Sequence, residues 1–447
     1  LKSYKNIIVG AGIAGLAAAY KLNKAGEGFL LLEASGLVGG NWQSHQYKNS
    51  IYEFGPNTLM NRSEEINQII ADLGIQDELL TESFKDSVRY LYLDDKFYEI
   101  GSNPLKLLLS GILSPWGIIR AALEPLQPRK VLEEESVYDF VSRRLGKEIA
   151  ERIISPALQG IWAGDIKNLS AKIALKKLVS LEKDYGSILK GLLSSRGGAK
   201  KKALASISCK QGMQYLTQAI ANSLPQASIL LNSEVEECRS EVTQSYVLKM
   251  KSGETIKTQN LIIATKGYQA AALLHGSALA ESLNKIYYAP IFLMAFTLPK
   301  KLFDKEKLKG FGYISAKQEH MVLGTIFSSE LFKERNLEDE YLLTSFIGGS
   351  KNPQILDFGE GDLVLRAIAE QKEIFKSTYG LDLQDGDFNI LDFKLIPRAI
   401  PQYQLGFSEI KSVIDAELKK LPGLKLIGNY LSGVSIPDTV KTSFNAI

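Results

Sequence analysis

Two cysteines in 447 residues, Cys209 and Cys238, stand far apart and without CxxC spacing, which excludes a disulfide framework and a cysteine zinc site. Both read as small buried hydrophobes in a reducing compartment. The three histidines, His45, His275 and His320, lack ligand spacing, so no metal centre is expected. A net charge of +3 is too small a surplus for a nucleic-acid binder. No uninterrupted apolar run approaches the roughly 18 residues that a membrane span requires. The first apolar strand begins about six residues in, leaving no room for a targeting peptide within this numbering, and a cytoplasmic location is expected. What remains, 45% hydrophobic and 23% charged, is an ordinary globular composition long enough for two or three domains.

The informative stretch is the beginning. Ile7-Ile8-Val9 runs into Gly10-Ala11-Gly12-Ile13-Ala14-Gly15, followed by a helix-forming Leu16-Ala17-Ala18-Ala19-Tyr20 and a second strand, Phe29-Leu30-Leu31-Leu32, ending in Glu33-Ala34. Gly10 permits the tight turn, Gly12 lets backbone N–H groups approach a pyrophosphate, and Gly15 lets helix and strand pack closely. Glu33, eighteen residues past Gly15, is placed to accept from both ribose hydroxyls, which argues against a 2′-phosphate. Gly36-Leu37-Val38-Gly39-Gly40-Asn41 follows at once, where an NAD domain would turn into its next helix. A second glycine pair suits a close approach to the far half of a longer cofactor. Tyr52-Glu53-Phe54-Gly55-Pro56-Asn57 then gives a short strand broken so as to present backbone groups. FAD is the cofactor expected.

Further along, Glu64 to Leu80 reads as an amphipathic helix, and Val88–Leu93 with Phe97–Ile100 as a hairpin around Asp94-Asp95. Pro104 to Leu123, the most apolar segment, reads either as two core helices split at Ser114-Pro115 or as a surface that dips into one membrane leaflet or lines the mouth of an apolar tunnel. Gly197-Gly198-Ala199-Lys200-Lys201-Lys202 reads as a solvated linker, with contact to anionic headgroups as the alternative. Strands return at Ser228–Leu231, Tyr246–Met250 and Leu261–Ala264, and a second sheet is expected from Ile291–Leu298, Met321–Ser328 and Tyr341–Ile347. A long helix, Asp362 to Tyr379, precedes a closing βα unit in which Ser435 caps a helix opening with Pro437-Asp438. That N-terminus either stabilises charge on a reduced flavin or simply closes the domain.

The fold class expected is α/β (α+β): a Rossmann-like FAD-binding domain with an inserted mixed-sheet substrate domain and a helical lobe. Residues 1–84, 202–272 and 388–447 would form the first, the hairpin 85–104 with 273–387 the second, and 105–201 the third.

A series of motifs in order adds to this. It comprises Gly10–Gly15 with Glu33, Gly39-Gly40-Asn41, Glu53–Asn57, Glu134–Val137 with Arg144, and Gly160-Ile161-Trp162-Ala163-Gly164-Asp165. It continues with Gln211–Gln214, Lys309–Gly312, Leu323-Gly324-Thr325-Ile326, Phe346–Gly349, Ala399-Ile400-Pro401-Gln402-Tyr403 and Gly428–Val434. From Ile7 to Phe444 the chain resembles the FAD-dependent protoporphyrinogen oxidases, particularly the plant-plastid-like form, within the flavin amine oxidase superfamily. The resemblance implies oxidation of protoporphyrinogen IX to protoporphyrin IX, with oxygen or a quinone as acceptor. Peripheral membrane contact and a homodimer would be compatible with it.

It also implies a hydride leaving a meso carbon flanked by two pyrroles, after which the pyrrole N–H loses its proton easily. No acid or base is therefore expected among the site residues. Cofactor contacts would come from Gly10, Gly12, Ile13, Ala14, Gly15, Glu33, Ala34, Gly39, Gly40, Asn41, Gly55, Pro56, Asn57, Val235, Gly428, Asn429, Gly433, Val434, Ser435 and Ile436. The substrate rings would lie between Leu323 and Phe346, oriented by the Gly160 carbonyl. The family's carboxylate-binding arginine falls on Tyr98, leaving Lys96, Arg89 or Arg62 for that task, and its C-terminal Gly-Arg is replaced by Pro437-Asp438. Those departures keep open coproporphyrinogen III, another apolar substrate of a flavin desaturase or amine oxidase, and a binding module without flavin.

Overall fold

The structure, a computed structural model, describes residues 2–60, 63–83, 88–101, 110–130, 132–194, 205–241, 245–303 and 307–447. Arg62, residues 102–109, which hold the start of the Pro104–Leu123 segment, and the basic residues 197–202 lie outside them. The opening strand Lys2–Val9 sits centrally in a sheet of seven described strands. Ile8 pairs in parallel with Leu31 on one side and Ile262 on the other, and Ile262 pairs in turn with Lys425 of the closing unit. Strands Leu30–Leu32 and Thr255–Ile263 thus flank the opening strand, and Leu424–Leu426, from the far end of the chain, pairs along Thr255–Ile263. Buried on both faces, Ile7-Ile8-Val9 reads as a continuous hydrophobic run rather than an alternating one. One face packs on the helices Ile13–Lys24, Gln214–Asn222 and Ile436–Ala446. The other meets the helices around residues 267–284 and 407–419, whose apolar core is continuous with that of the helical lobe.

The second sheet runs in the order Asn389–Pro401, Tyr288–Pro299, Glu340–Gly348, Val322–Ile326, Gly312–Ser315, Arg89–Leu93, Lys96–Glu99. Its back packs on the twenty-residue helix Glu360–Tyr379 through Phe292, Phe296, Leu363 and Phe375. Its front carries Ile291, Leu293, Leu323 and Phe346. Two expectations change. The helix begun at Glu64 stops at Leu73 rather than Leu80, because Gly74 turns left-handed at φ 67° and its N–H closes on Ala71 and Ile70. Asn389–Pro401 pairs along Tyr288–Pro299 and so belongs to the second sheet, moving the start of the closing cofactor segment past Pro401.

In the helical lobe, Ser114 caps Pro115–Ala122 by accepting from the Gly117 N–H at 3.0 Å. Ile118 and Ala121 pack inward, whereas Trp116 (78% exposed) and Leu126 (77%) face out. No described helix is long and apolar enough to cross a membrane. The lobe is held by a wholly buried Arg144, paired with Glu124, whose carboxylate also accepts from the backbone of Ile188 and Leu189.

Candidate functional site

The amino-terminal loop is built by steric exclusion. Gly10 adopts φ 102° and its N–H reaches the Leu32 carbonyl at 2.8 Å. A Cβ on Gly15 would lie 1.9 Å from the Gly10 oxygen, so glycine there is what lets the helix sit on the strand. A Cβ on Gly12 would meet nothing within 4 Å. Gly12 opens the helix with extended backbone and no side-chain cap, so the first-turn N–H groups at Ile13 and Ala14 are presented to open space. This asymmetry is what an anionic group at a helix N-terminus requires. Glu33 accepts from the Ala11 N–H at 2.7 Å and from the Ser35 N–H and Oγ at 2.9 and 2.8 Å. With about four lone-pair positions on a carboxylate, it is fixed in place and keeps capacity for a hydroxyl.

The later glycines continue the cradle. Gly39 and Gly12 pair as a parallel bridge, and a Cβ on Gly40 would stand 3.3 Å from the Gly12 Cα. At Gly55 a Cβ would strike the Asn41 carbonyl at 2.1 Å. The carboxyl-terminal unit arrives beside them. Tyr403, fully buried, donates to the Asn429 carbonyl at 2.7 Å and accepts from the Gly433 N–H at 2.7 Å, pinning the loop between the last strand and the last helix. Ser435 caps that helix by accepting from the Asp438 N–H at 3.2 Å.

These segments line one cleft of about 1710 Å³. Gly10, Gly12, Ile13, Ala14, Glu33, Ala34, Gly39, Gly40, Asn41, Gly55, Pro56, Asn57, Val235, Gly428, Asn429, Val434, Ser435 and Ile436 are all on its walls. Gly15 and Gly433 are not. Gly15 acts one layer below through helix–strand packing, and Gly433 turns the chain at φ 131°, with its Cβ position 2.7 Å from the Asp438 carboxylate. Both termini therefore converge, and a dinucleotide-sized group fits the cradle they form.

The far wall of the same cleft is the front of the second sheet. Phe346 pairs with Leu293, which pairs with Lys394, so these three side chains share a row and a face. Phe346, Leu293, Ile291, Ile326, Ile396 and Phe311 line the cleft there. Gly160 lines it too, its Cβ position 2.7 Å from Ile314. Gly160 lies in the last turn of the helix Ser155–Trp162, whose end is set by Ala163 at φ 47°, with its carbonyl accepting from the Ser350 N–H at 2.7 Å, and by Gln402 donating to the Trp162 carbonyl.

Two expected substrate residues stand elsewhere. Leu323 is on the same sheet front, 6% exposed in the apolar cluster with Phe346, but it is not among the residues lining the cleft. Tyr98 is buried against Leu91 and the helical lobe, with Lys96 over its ring at 4.7 Å. Strand alternation sends its neighbour Phe97 to the other face and Tyr98 into that core. Of the substitutes, Arg89 lies over the Phe311 ring at 4.7 Å, beside the cleft. Sequence reasoning missed Leu293, Ile291, Ile326 and Ile396 as wall residues. Only strand register identifies them, since their types are those of any sheet core.

Among the described residues no group of histidine, cysteine and carboxylate side chains could hold a metal. Burial lowers the pKa of His45, which stacks on Tyr52 at 5.0 Å. Burial pushes the Glu53 carboxyl up to about 7 and both thiols up to about 12. Glu53 is spent on structure, accepting from Ser44 Oγ at 2.6 Å and the Met213 N–H at 2.8 Å.

A converged glycine cradle, a ribose-side carboxylate and an apolar wall define a flavoprotein oxidoreductase, and the chain belongs to the flavin containing amine oxidoreductases, whose family model matches residues 13–446. FAD is its cofactor. Protoporphyrinogen oxidase 2 of Arabidopsis thaliana is 28% identical over 98% of this chain and 92% of its own length. Coproporphyrinogen III oxidase of Bacillus subtilis is 25% identical over 97% of this chain and 95% of its own. A crystal structure of a candidate protoporphyrinogen oxidase from Exiguobacterium sp. 255-15 superposes with a TM-score of 0.81 at 20% identity, covering 99% of this chain and 97% of the other. The fold class expected from sequence, a Rossmann-like FAD domain with an inserted mixed sheet, is the one observed.

Proposed function

We propose that the chain oxidises a porphyrinogen to its porphyrin, with protoporphyrinogen IX as the leading substrate and coproporphyrinogen III as the second. The observation that carries this is the wall Phe346, Leu293, Ile291 and Ile396: an apolar sheet face closing a cleft whose other end is a dinucleotide cradle. Such a wall holds a large apolar macrocycle by contact and offers it no proton acceptor. That suits a substrate whose pyrrole N–H groups release protons without help once a meso carbon is oxidised. Bound FAD supplies the two-electron acceptor.

The chain's own work is positioning. Phe346 stacks against the macrocycle, Leu323 backs it, and the Gly160 carbonyl accepts from pyrrole N–H groups. The two relatives matched along nearly the whole chain act, by their names, on porphyrinogens, which supports the same reading. The exposed Trp116, Ile119, Leu123 and Leu126 of the helical lobe suit peripheral attachment to a membrane, where an apolar substrate would be delivered.

The test is anaerobic mixing of the holoprotein with each porphyrinogen while following the visible flavin band. Bleaching by either is expected without oxygen, and the matching porphyrin, which needs three successive two-electron oxidations, should appear once oxygen is admitted to reoxidise the flavin. A flavin bleached only by amines or polyenes would overturn the reading.

A further inference from the structure

One set of charges has no counterpart in the site as described. The half-buried Lys394 occupies the end of the row Phe346–Leu293–Lys394, two strand spacings, roughly 10 Å, from the aromatic ring. Its ammonium donates to Gln43 Oε1 at 2.7 Å, and Gln43 itself lines the cleft. Lys266, another wall residue, stands 5.9 Å from the centre of the Tyr268 ring, and Arg398 stands over that ring at 4.9 Å. Burial, and then the charge of Lys394, hold the Lys266 ammonium below the ordinary lysine range. None of the three forms an ion pair among the described residues. Asp392, on the same strand as Lys394, accepts instead from the Tyr52 hydroxyl at 3.4 Å. Lys266 lines the cleft, Lys394 is near enough to act on its charge, and Arg398 shares the Tyr268 ring with Lys266; like charges so placed repel one another unless an anion joins them.

We propose that Lys266, Lys394 and Arg398 form an oxyanion-binding edge of the cleft that receives carboxylate arms of the substrate. The inference rests on the porphyrinogen reading and deepens it. The macrocycle would lie on Phe346 and Leu293, and a propionate, extending a few ångströms beyond the ring edge, would reach the end of that row. The pyrophosphate of FAD is the other oxyanion in the cleft. It is provided for at the uncapped helix N-terminus at Gly12, whereas Lys394 continues the row of the apolar wall. The edge therefore acts on substrate identity. It also lies on a different strand from Tyr98 and Arg89, which occupy the opposite end of the sheet.

The experiment uses the holoprotein and four substrates: coproporphyrinogen III and protoporphyrinogen IX, each as the free acid and as the methyl ester. Flavin reduction is followed anaerobically in the wild type and in Lys394→Met, Lys266→Met and Arg398→Met. The wild type should half-saturate at lower concentrations of the acids than of the esters. Each lysine variant should narrow that acid–ester ratio about tenfold, with ester affinity and flavin content unchanged, and the more exposed Arg398 should contribute less. An acid–ester ratio unaltered in all three variants would overturn the proposal. So would loss of bound FAD with the ratio intact, which would assign the edge to the cofactor's phosphates. If neither acid nor ester bleaches a flavin that is demonstrably bound, the porphyrinogen reading itself fails, and this inference falls with it.

Discussion

The two ends of the cleft are specified in different ways. At the nucleotide end the chain is told what to do by residues with no side chain: Gly10, Gly12, Gly39, Gly40 and Gly55 act through where a Cβ cannot go or where its absence leaves backbone exposed. At the sheet end the instruction is relational. Phe346, Leu293 and Lys394 stand side by side only because three strands, separated by dozens of residues, pair in one register. The first kind of site is a property of a short segment. The second exists only in the folded sheet.

Substituting within each end sharpens that contrast. The largest effect is expected from Gly12→Leu. Its side chain would enter open space, so the apoprotein should melt as the wild type does while FAD affinity falls by about 100-fold or more, measured by fluorescence titration. Gly15→Ala should do the reverse in the first instance. Crowding the Gly10 carbonyl should lower apoprotein stability by about 1–3 kcal/mol in urea unfolding, with cofactor loss following from that. Equal effects of the two substitutions on apoprotein stability would dissolve the distinction between cradle and packing glycine.

At the other end, Phe346→Ala should leave flavin content intact and weaken porphyrinogen binding about tenfold, read from the concentration dependence of flavin bleaching. Leu323→Ala tests the corrected placement. As a buried residue that does not line the cleft, its loss should cost stability, about 2–4 kcal/mol, more than it costs substrate affinity.

Glu53, at the junction of the two ends, gives a pH signature. Its carboxyl is raised from 4.5 to about 7, so the folded state holds a proton that the unfolded chain has released. The stabilisation is therefore complete below about pH 4.5 and lost as pH rises through about 7, by on the order of 3 kcal/mol. Unfolding measured at stepped pH should show that slope in the wild type and not in Glu53→Gln. The smallest effect expected is chemical. Cys209 and Cys238, both buried with thiols pushed up to about 12, should not react with thiol reagents in the native protein at neutral pH.

What could be read beforehand follows the same division. The cofactor loop, the ribose carboxylate and the capped last helix were legible because each is a local pattern with a local physical cause. So was the second sheet, since the apolar runs at 291–298 and 341–347 are short and rich in strand-forming residues, as buried strands are. The far end of the Glu64 helix was less so. Ile75 and Leu80 continue an apolar pattern that Gly74 interrupts with a left-handed turn. Tyr98 was misplaced because alternation along a four-residue strand decides which face a side chain takes, and the partner of each face was unknown. Lys394 was invisible for the deeper reason that its neighbours in sequence, Phe393 and Leu395, point to the opposite core. Its functional neighbours, Leu293 and Phe346, lie on other strands.

Amide hydrogen exchange with and without FAD probes the enclosure of one cofactor by both termini. Adding FAD to the apoprotein should slow exchange together at Ile13–Ala14 and around Val434–Ile436, some 420 residues away in sequence. Protection confined to the amino-terminal loop, with the last helix unaffected, would contradict the account.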